Sequence, residues 1–516
     1  MSGEILHGRE LSGPLEESVD VVVVGSGAGG AVFAAQLAED GKSVLVLEEG
    51  PHYTPEEIRA MTPSQVLRRM WRDAGMYAAL GVGQTPVISL AMGRNVGGSS
   101  VHTGGVCFRI PSAVHHDWVK GHGLPELSEA ALEAAYLDVE RRVHVVEVQP
   151  HERSRSTQKF AEGAAKLGVE FKNLRRNTDG CEGNSRCNFG CPKGAKMSVD
   201  LSYLPGAIAR GARLVSDAQV ERVLFDGTRA VGVEGWLTGP PGHYGARKHR
   251  FKIHAKIVVV ACGTVHTPEV LANSGVRSKH LGRHITLHPA FRMGGLFDEP
   301  LDPWNGAMQS AYSDHYEHEG ITVVGMYPPV NVLSSGLPGV GPSHRAIVRQ
   351  NRSIAVQGGM VHDEGGGVLH RSPLGGREPL LTYEMVPRDL ARVRRAITLL
   401  GEMAFAAGAK AVIPPIFGLD PITSLSALRA LETSPPDARK IECMAFHPLG
   451  SAKMSNDPRR GVTDVWGAVY GMKGLYVVDG SVLPTSIGVN SQVPIMSMAT
   501  RLAWAVRDRW ARVVRG

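Results

Sequence analysis

Four β-branched residues, Val21 to Val24, run directly into Gly25-Ser-Gly27-Ala-Gly-Gly30 and then into the helix-forming stretch AVFAAQLAEDG. An uninterrupted apolar run of this kind predicts a strand buried on both faces of a parallel sheet. A second such run follows at Val44 to Leu47, so the unit reads as strand, turn, helix, strand, with the helix stopping at Gly41. In the Gly25-x-Gly27-x-x-Gly30 spacing the first glycine allows the tight turn, the second lets a phosphate approach the backbone, and the third lets helix pack on strand. A pyrophosphate then sits on the helix N-terminus, where unpaired N–H groups and the dipole favour an anion. Glu48 stands 18 residues after Gly30 at the end of the second strand, a position suited to a ribose diol. A dinucleotide site is the expectation; the spacing alone does not separate FAD from NAD.

The chain has 516 residues, enough for two or three domain-sized units with a large core. Its 43% hydrophobic and 21% charged residues exclude a disordered or fibrous protein, and 62 glycines imply many close backbone approaches. The net charge of +6 is spread without a block of like charges, which argues against a dedicated nucleic-acid binder. The first residues lack an apolar signal core and no long uncharged apolar run follows, so a cytoplasmic protein is expected. The basic amphipathic stretch RLAWAVRDRWARVVRG is expected to touch a membrane at most peripherally.

Further segments repeat the α/β theme. Gly211 to Gly232 reads as short strands turning at Asp226-Gly227, Lys256 to Ala261 as a buried strand, and Leu475 to Val478 as a late strand closing on Asp479-Gly480. A helix is expected from about Val493 to the C-terminus, and 330–380, with GLPGVGP and EGGG, reads as the most loop-like part. If these strands share one sheet, a nucleotide domain is assembled from 1–107, 181–289 and 445–516. The segments 108–180 and 290–444 would then form a second, discontinuous domain.

Four blocks in order resemble the glucose-methanol-choline (GMC) oxidoreductase family. They are VDVVVVGSGAGGAVFAAQLAEDGKSVLVLEEG, the loop Gly93-Arg-Asn-Val-Gly-Gly-Ser-Ser100, ACGTVHTPEVLANSGV with LGRHITLHP, and HPLGSAKMSNDPRRGVTDVWGAVYGMKGLYVVDGSVLPTSIGVNSQVPIMSMA. The resemblance implies an α/β fold, α+β overall, with a Rossmann-like FAD-binding domain and a substrate domain built on an antiparallel sheet. It also implies FAD as cofactor and oxidation of an alcohol by hydride transfer to flavin N5. The GLYVVDGSVLPTSIGVN segment is nearest the long-chain alcohol oxidase and steroid-oxidising branch. A hydrophobic long-chain or sterol-like alcohol is therefore the expected substrate, with oxygen, a quinone or a redox protein as electron acceptor.

Such chemistry needs a base for the hydroxyl proton and a second polar group on the substrate oxygen. His447 aligns with the family's catalytic histidine and Asn490 with its partner position, and histidine suits the base because its ordinary pKa is near neutrality. The helix after Asn490 would bring its positive end toward the flavin. Arg94, Gly97, Gly98 and Ser99 belong to the second glycine-rich loop beside the cofactor. Asp479 resembles the acidic residue near the FAD ribityl-phosphate region, and Val220 would offer backbone to adenine. His102, four residues after Gly98, stands where covalently flavinylated members carry the histidine bonded to FAD; it reads equally as an unmodified loop histidine.

Cys181-x5-Cys187-x3-Cys191-Pro192 admits two readings. Thiolates at such spacing hold an iron–sulfur cluster in sugar-type dehydrogenases of the family, which makes such an enzyme the alternative function. The same stretch resembles the cysteine-containing segment of long-chain alcohol oxidases and steroid-oxidising relatives, where cluster ligation is not implied and the cysteines are plain thiols or form one disulfide. A flavoprotein that has lost alcohol chemistry and carries electrons only is a third reading, and intact His447 and Asn490 argue against it.

Overall fold

The computed structural model describes residues 3–239, 246–372 and 378–515. Among them, a first sheet of eight strands runs in the order Ile5–His7, Arg213–Ser216, Val44–Leu47, Leu15–Val24, Arg247–Val260, Arg229–Thr238 and Ala218–Asp226, with Leu475–Val477 also paired to Arg247–Val260. Val21 to Val24 pair in parallel with Val44–Leu47 on one side and with Ile257 to Val260 on the other, and all four are buried as their unbroken apolar run predicts. Leu475–Val477 lies in parallel beside Val258 to Val260. The carboxyl ends of these strands therefore meet at Gly25, Glu48, Ala261 and Val478, opening the crevice in which α/β sheets bind ligands. Helices Gly30–Glu39, Glu129–Arg142 and Gln492–Asp508 pack together over this core through Leu37, Leu132 and Leu502.

The second sheet has eleven strands among the described residues, mostly antiparallel, centred on Ala290–Leu296 against Ile354–Val361. Helices Arg155–Lys166 and Pro387–Ala406 back it, with Phe160, Phe291, Met293 and Leu400 interleaved. Gly163 is where those helices touch: a Cβ there would stand 1.9 Å from the Met403 carbonyl oxygen. No helix among the described residues is long and apolar enough to cross a membrane.

Four features differ from the sequence expectation. The short strands Ala78–Gly81 and Ile88–Leu90, placed by sequence order in the 1–107 unit, pair with Leu380–Glu384 and Cys443–Ala445 in the second sheet. Conversely the start of 108–180 packs into the first core: Trp118 and Tyr136 are fully buried there, and Trp118 Nε1 donates to Thr485 Oγ1 at 2.8 Å. In both cases periodicity shows which face is buried and is silent about the surface that covers it. The third is the stretch 330–380, whose residues 373–377 lie outside the described residues. It holds helices Val330–Gly336 and Gly341–Val348 and the wholly buried strand Ile354–Val361. Gly359 serves packing rather than a loop, since a Cβ there would meet the Phe291 ring at 2.7 Å. Finally, the terminal helix breaks at Arg509 into Gln492–Asp508 and Trp510–Arg515.

Candidate active site

The turn after Leu15–Val24 is built for a ligand that needs bare backbone. Gly25 has φ +99°, and its Cβ would lie 2.3 Å from the Ala261 carbonyl oxygen; a Cβ on Gly29 would lie 1.8 Å from that of Val478. Gly27 is different. A Cβ there would meet only Gly98 Cα, at 4.0 Å, because its other side faces the cavity. Helix Gly30–Glu39 begins here with no side chain capping its first turn, so its N–H groups point into the crevice.

That crevice opens into a cavity of about 870 Å³, near the upper end for a single ligand. Gly25, Gly27, Glu48, Gly98, Ser99, His102, Val220 and Asp479 all line it, with His447 and Asn490. Gly30, Gly97 and Arg94 do not. Gly30 closes against Gly25, Gly97 donates its N–H to Ser26 Oγ at 3.1 Å, and Arg94 is drawn to Glu49 (3.6 Å). Glu48 accepts from Ser26 N at 3.0 Å, Ser26 Oγ at 2.7 Å and Gly50 N at 2.8 Å; burial raises its pKa against those bonds. Asp479 is held the same way, by Gly263 N (2.9 Å), Thr267 Oγ1 (2.6 Å) and Ser481 N (2.8 Å). Both carboxylates are thus fixed by the chain before any ligand arrives.

His447 and Asn490 are 43 residues apart in sequence and meet at the cavity wall, where Asn490 Nδ2 donates to His447 Nε2 at 3.1 Å. The imidazole is consequently the Nδ1–H tautomer, its Nε2 lone pair accepting from Asn490. Nδ1 has no hydrogen-bond partner among the described residues. Burial pushes the His447 pKa down to about 3, helped by the His288 ring at 5.5 Å and opposed by the charge of Asp363. The ring is neutral near pH 7, as a base must be. Helix Gln492–Asp508 starts two residues on, again without a side-chain cap, with Ser491 and Gln492 in the cavity wall.

Two networks here were not read from the sequence. Arg72 pairs with Glu49 and, at 2.8 Å, with Glu378, which also takes His266 Nε2 at 2.9 Å; all four line the cavity. Burial alone would raise the Glu378 carboxyl, but His266 and Arg72 hold it at about 2. Behind His447, the His288 ring accepts the backbone N–H groups of Ile487 and Gly488 on Nε2, both at 3.1 Å. Asp363 accepts from Leu287 N at 2.8 Å, Ser486 Oγ at 2.7 Å and Tyr383 Oη. Positions 49, 72, 266 and 378 share no spacing that a sequence pattern could signal.

His102 and His288 are buried, and burial lowers each pKa to about 3, Lys196 adding to the effect at His102 and His362 at His288. In the unfolded chain an imidazole titrates near pH 6.5, so between about 6.5 and 3 the unfolded state binds more protons. Their contribution to stability is whole above about pH 6.5 and falls as pH drops, by roughly 1.4 kcal/mol each per pH unit. Denaturant midpoints should accordingly be clearly lower at pH 5.5 than at pH 7.5; equal midpoints would contradict the buried neutral histidines.

Residues 19–290 match the family model of the GMC oxidoreductase N-terminal part, and residues 367–499 match that of its C-terminal part. The chain belongs to the GMC oxidoreductase family. An uncharacterised GMC-type oxidoreductase of Mycobacterium tuberculosis is 37% identical over 95% of this chain and 76% of its own length. A long-chain-alcohol oxidase of Arabidopsis thaliana is 26% identical over 95% of this chain and 67% of its own. In fold, the chain is similar to pyridoxine 4-oxidase from Mesorbium loti, with a TM-score of 0.72 at 18% identity, covering 94% of this chain and 99% of that one. This GMC oxidoreductase is an FAD-dependent enzyme of alcohol oxidation, taking a small-molecule substrate and passing electrons to an acceptor. Its cavity fits the cofactor: bare glycine backbone and two uncapped helix N-termini suit phosphates and a reduced ring, and fixed carboxylates suit ribose and ribityl hydroxyls.

Proposed function

We propose that this GMC oxidoreductase oxidises a hydrophobic alcohol, long-chain or sterol-like, with His447 as the base and Asn490 as the orienting group. The observation that carries the reading is the 3.1 Å pairing of Asn490 Nδ2 with His447 Nε2 at the cavity wall. A hydroxyl that displaces this direct contact donates its proton to Nε2 and accepts from the Asn490 amide, while Nδ1 keeps its own proton. FAD, when bound, supplies the acceptor for the hydride leaving the carbinol carbon. Gly25, Gly27, Gly98, Ser99, Glu48, Val220 and Asp479 hold it in this reading, and the start of Gln492–Asp508 favours negative charge on the ring.

The wall facing the second sheet supports an apolar substrate. Met308, Val324, Met326, Met360, Met444 and Phe446 line it, and Arg292, the charge among them, is neutralised by Glu442 at 2.5 Å. Cys181 and Cys187 both face the guanidinium of Arg176, at 3.7 and 3.2 Å. His102 fits an unlinked role, because Nε2 contacts Asn95 Oδ1 at 2.7 Å and Nδ1 the Asn188 carbonyl at 3.3 Å.

The test is anaerobic mixing of the yellow protein with long-chain alcohols, sterols and sugars while the visible flavin band is followed. Bleaching by a hydrophobic alcohol and not by sugars is the expected result, and admitting air then separates oxygen from other acceptors. Bleaching by sugars alone would overturn the substrate class. Acid precipitation of the same sample should leave the flavin in solution; a yellow pellet whose flavinylated peptide contains His102 would overturn the unlinked role.

A further inference from the structure

The cysteine segment is the one sequence motif that alcohol oxidation leaves unexplained. All six cysteines are free, and no group of three His, Cys, Asp or Glu among the described residues is placed to hold a metal ion. Two of the sulfurs share one partner instead: Arg176 Nη2 lies 3.2 Å from Cys187 Sγ and Nη1 lies 3.7 Å from Cys181 Sγ. The terminal nitrogens of a guanidinium sit in one rigid planar fork, so both sulfurs are gathered at the same edge. Arg176 is 1% exposed and Lys196 beside it 2%, and neither makes an ion pair among the described residues. A buried guanidinium that meets two thiols rather than a carboxylate is costly as structure alone, which points to a use for the sulfurs.

We propose that Cys181 and Cys187 are a reversible redox modification site, oxidised to a disulfide by a hydroperoxide. Cys181 is only half buried and is reached first; Cys187 is buried and resolves. With hydrogen peroxide, the Cys181 sulfur takes one oxygen as the O–O bond breaks, giving a sulfenic acid and one water. The Cys187 sulfur then attacks it, the S–S bond forms, the S–O bond breaks, and a second water leaves. Two thiols and one peroxide become one disulfide and two waters, the peroxide receiving the two electrons.

The site is wired to the cofactor loop. Arg176 Nε donates to the Gly104 carbonyl at 3.0 Å, and Lys196 Nζ joins the Cys187 carbonyl (2.8 Å) to those of Val101 (2.7 Å) and Thr103 (2.8 Å), on either side of His102. Closing the disulfide removes both sulfur partners of Arg176 and pulls on the peptide that Lys196 holds. The loop beside the flavin therefore senses the oxidation state of the pair.

The test uses the flavin-loaded full chain and a few equivalents of hydrogen peroxide, read by intact mass and by thiol counting in denaturant. The expected result is a loss of about 2 Da and of two thiols, reversed by dithiothreitol, with a crosslinked peptide joining Cys181 to Cys187. The Cys181→Ser variant, treated alike, should keep its remaining thiols. The proposal is overturned if all six thiols survive, if only stepwise oxygen additions appear, or if the bond maps to Cys191. A crosslink forming equally fast in the Cys181→Ser variant would overturn it too.

Discussion

Changing His447 to alanine is expected to slow bleaching of the flavin by alcohol about 10²–10⁴-fold, the usual worth of a positioned base, while the protein stays yellow. The separation of effects follows from geometry. His447 lies in the cavity wall against Asn490, whereas the proposed cofactor cradle is Gly25, Gly27, the Gly98 loop and the two fixed carboxylates. Rapid-reaction measurement of the reductive step makes the check, and it carries a pH signature. With the His447 pKa pushed to about 3 by burial, the base is already free of its proton across the neutral range. The wild-type rate should be flat from about pH 5 to 8, whereas an ordinary imidazole would lose it below about 6.5. A variant reduced within a few-fold of the wild type would remove His447 from the chemistry.

A folded but colourless protein is expected from Gly27→Val. A Cβ at this position meets nothing closer than Gly98 Cα at 4.0 Å and the position lines the cavity, so the branch is expected to fill the space that the pyrophosphate needs without breaking the fold. Gly29→Ala should behave differently, because its Cβ would be driven to 1.8 Å from the Val478 carbonyl and the strand Leu475–Val477 could not dock. Far-ultraviolet circular dichroism and the ratio of visible to protein absorbance distinguish the two. The first keeps its secondary structure and loses its flavin; the second loses both. A yellow Gly27→Val protein would move the pyrophosphate elsewhere.

The contrast between these glycines shows what a sequence carries. The spacing from Gly25 to Gly30, read between two valine-rich runs, already specified the parallel core, the helix N-terminus and the class of ligand, because those requirements are local and satisfied within about thirty residues. The places of Glu48 and Asp479 at the carboxyl ends of strands were legible for the same reason, although a cofactor role for Asp479 came only from the family resemblance. His447 and Asn490 were found only through family resemblance, since nothing in their separate neighbourhoods says that 43 residues of intervening chain return to a 3.1 Å contact.

What no local pattern contained was the partnering between distant surfaces. Strands Ala78–Gly81 and Ile88–Leu90 joined the second sheet because edges near 380 and 443 offered free backbone groups, and the helix Glu129–Arg142 joined the first core because helix Gln492–Asp508 presented a matching face. Arg94, expected at the cofactor, was drawn away to Glu49, and Arg72, His266 and Glu378 took the cavity wall. Arg176 faces Cys181 and Cys187, a contact that the cysteine spacing does not announce. The sequence by itself determined the dinucleotide-binding core, because hydrophobic period and glycine sterics act between near neighbours. The charge network of Glu49, Arg72, His266 and Glu378 was settled only in three dimensions, because long-range electrostatic and packing partners are chosen when the whole chain closes.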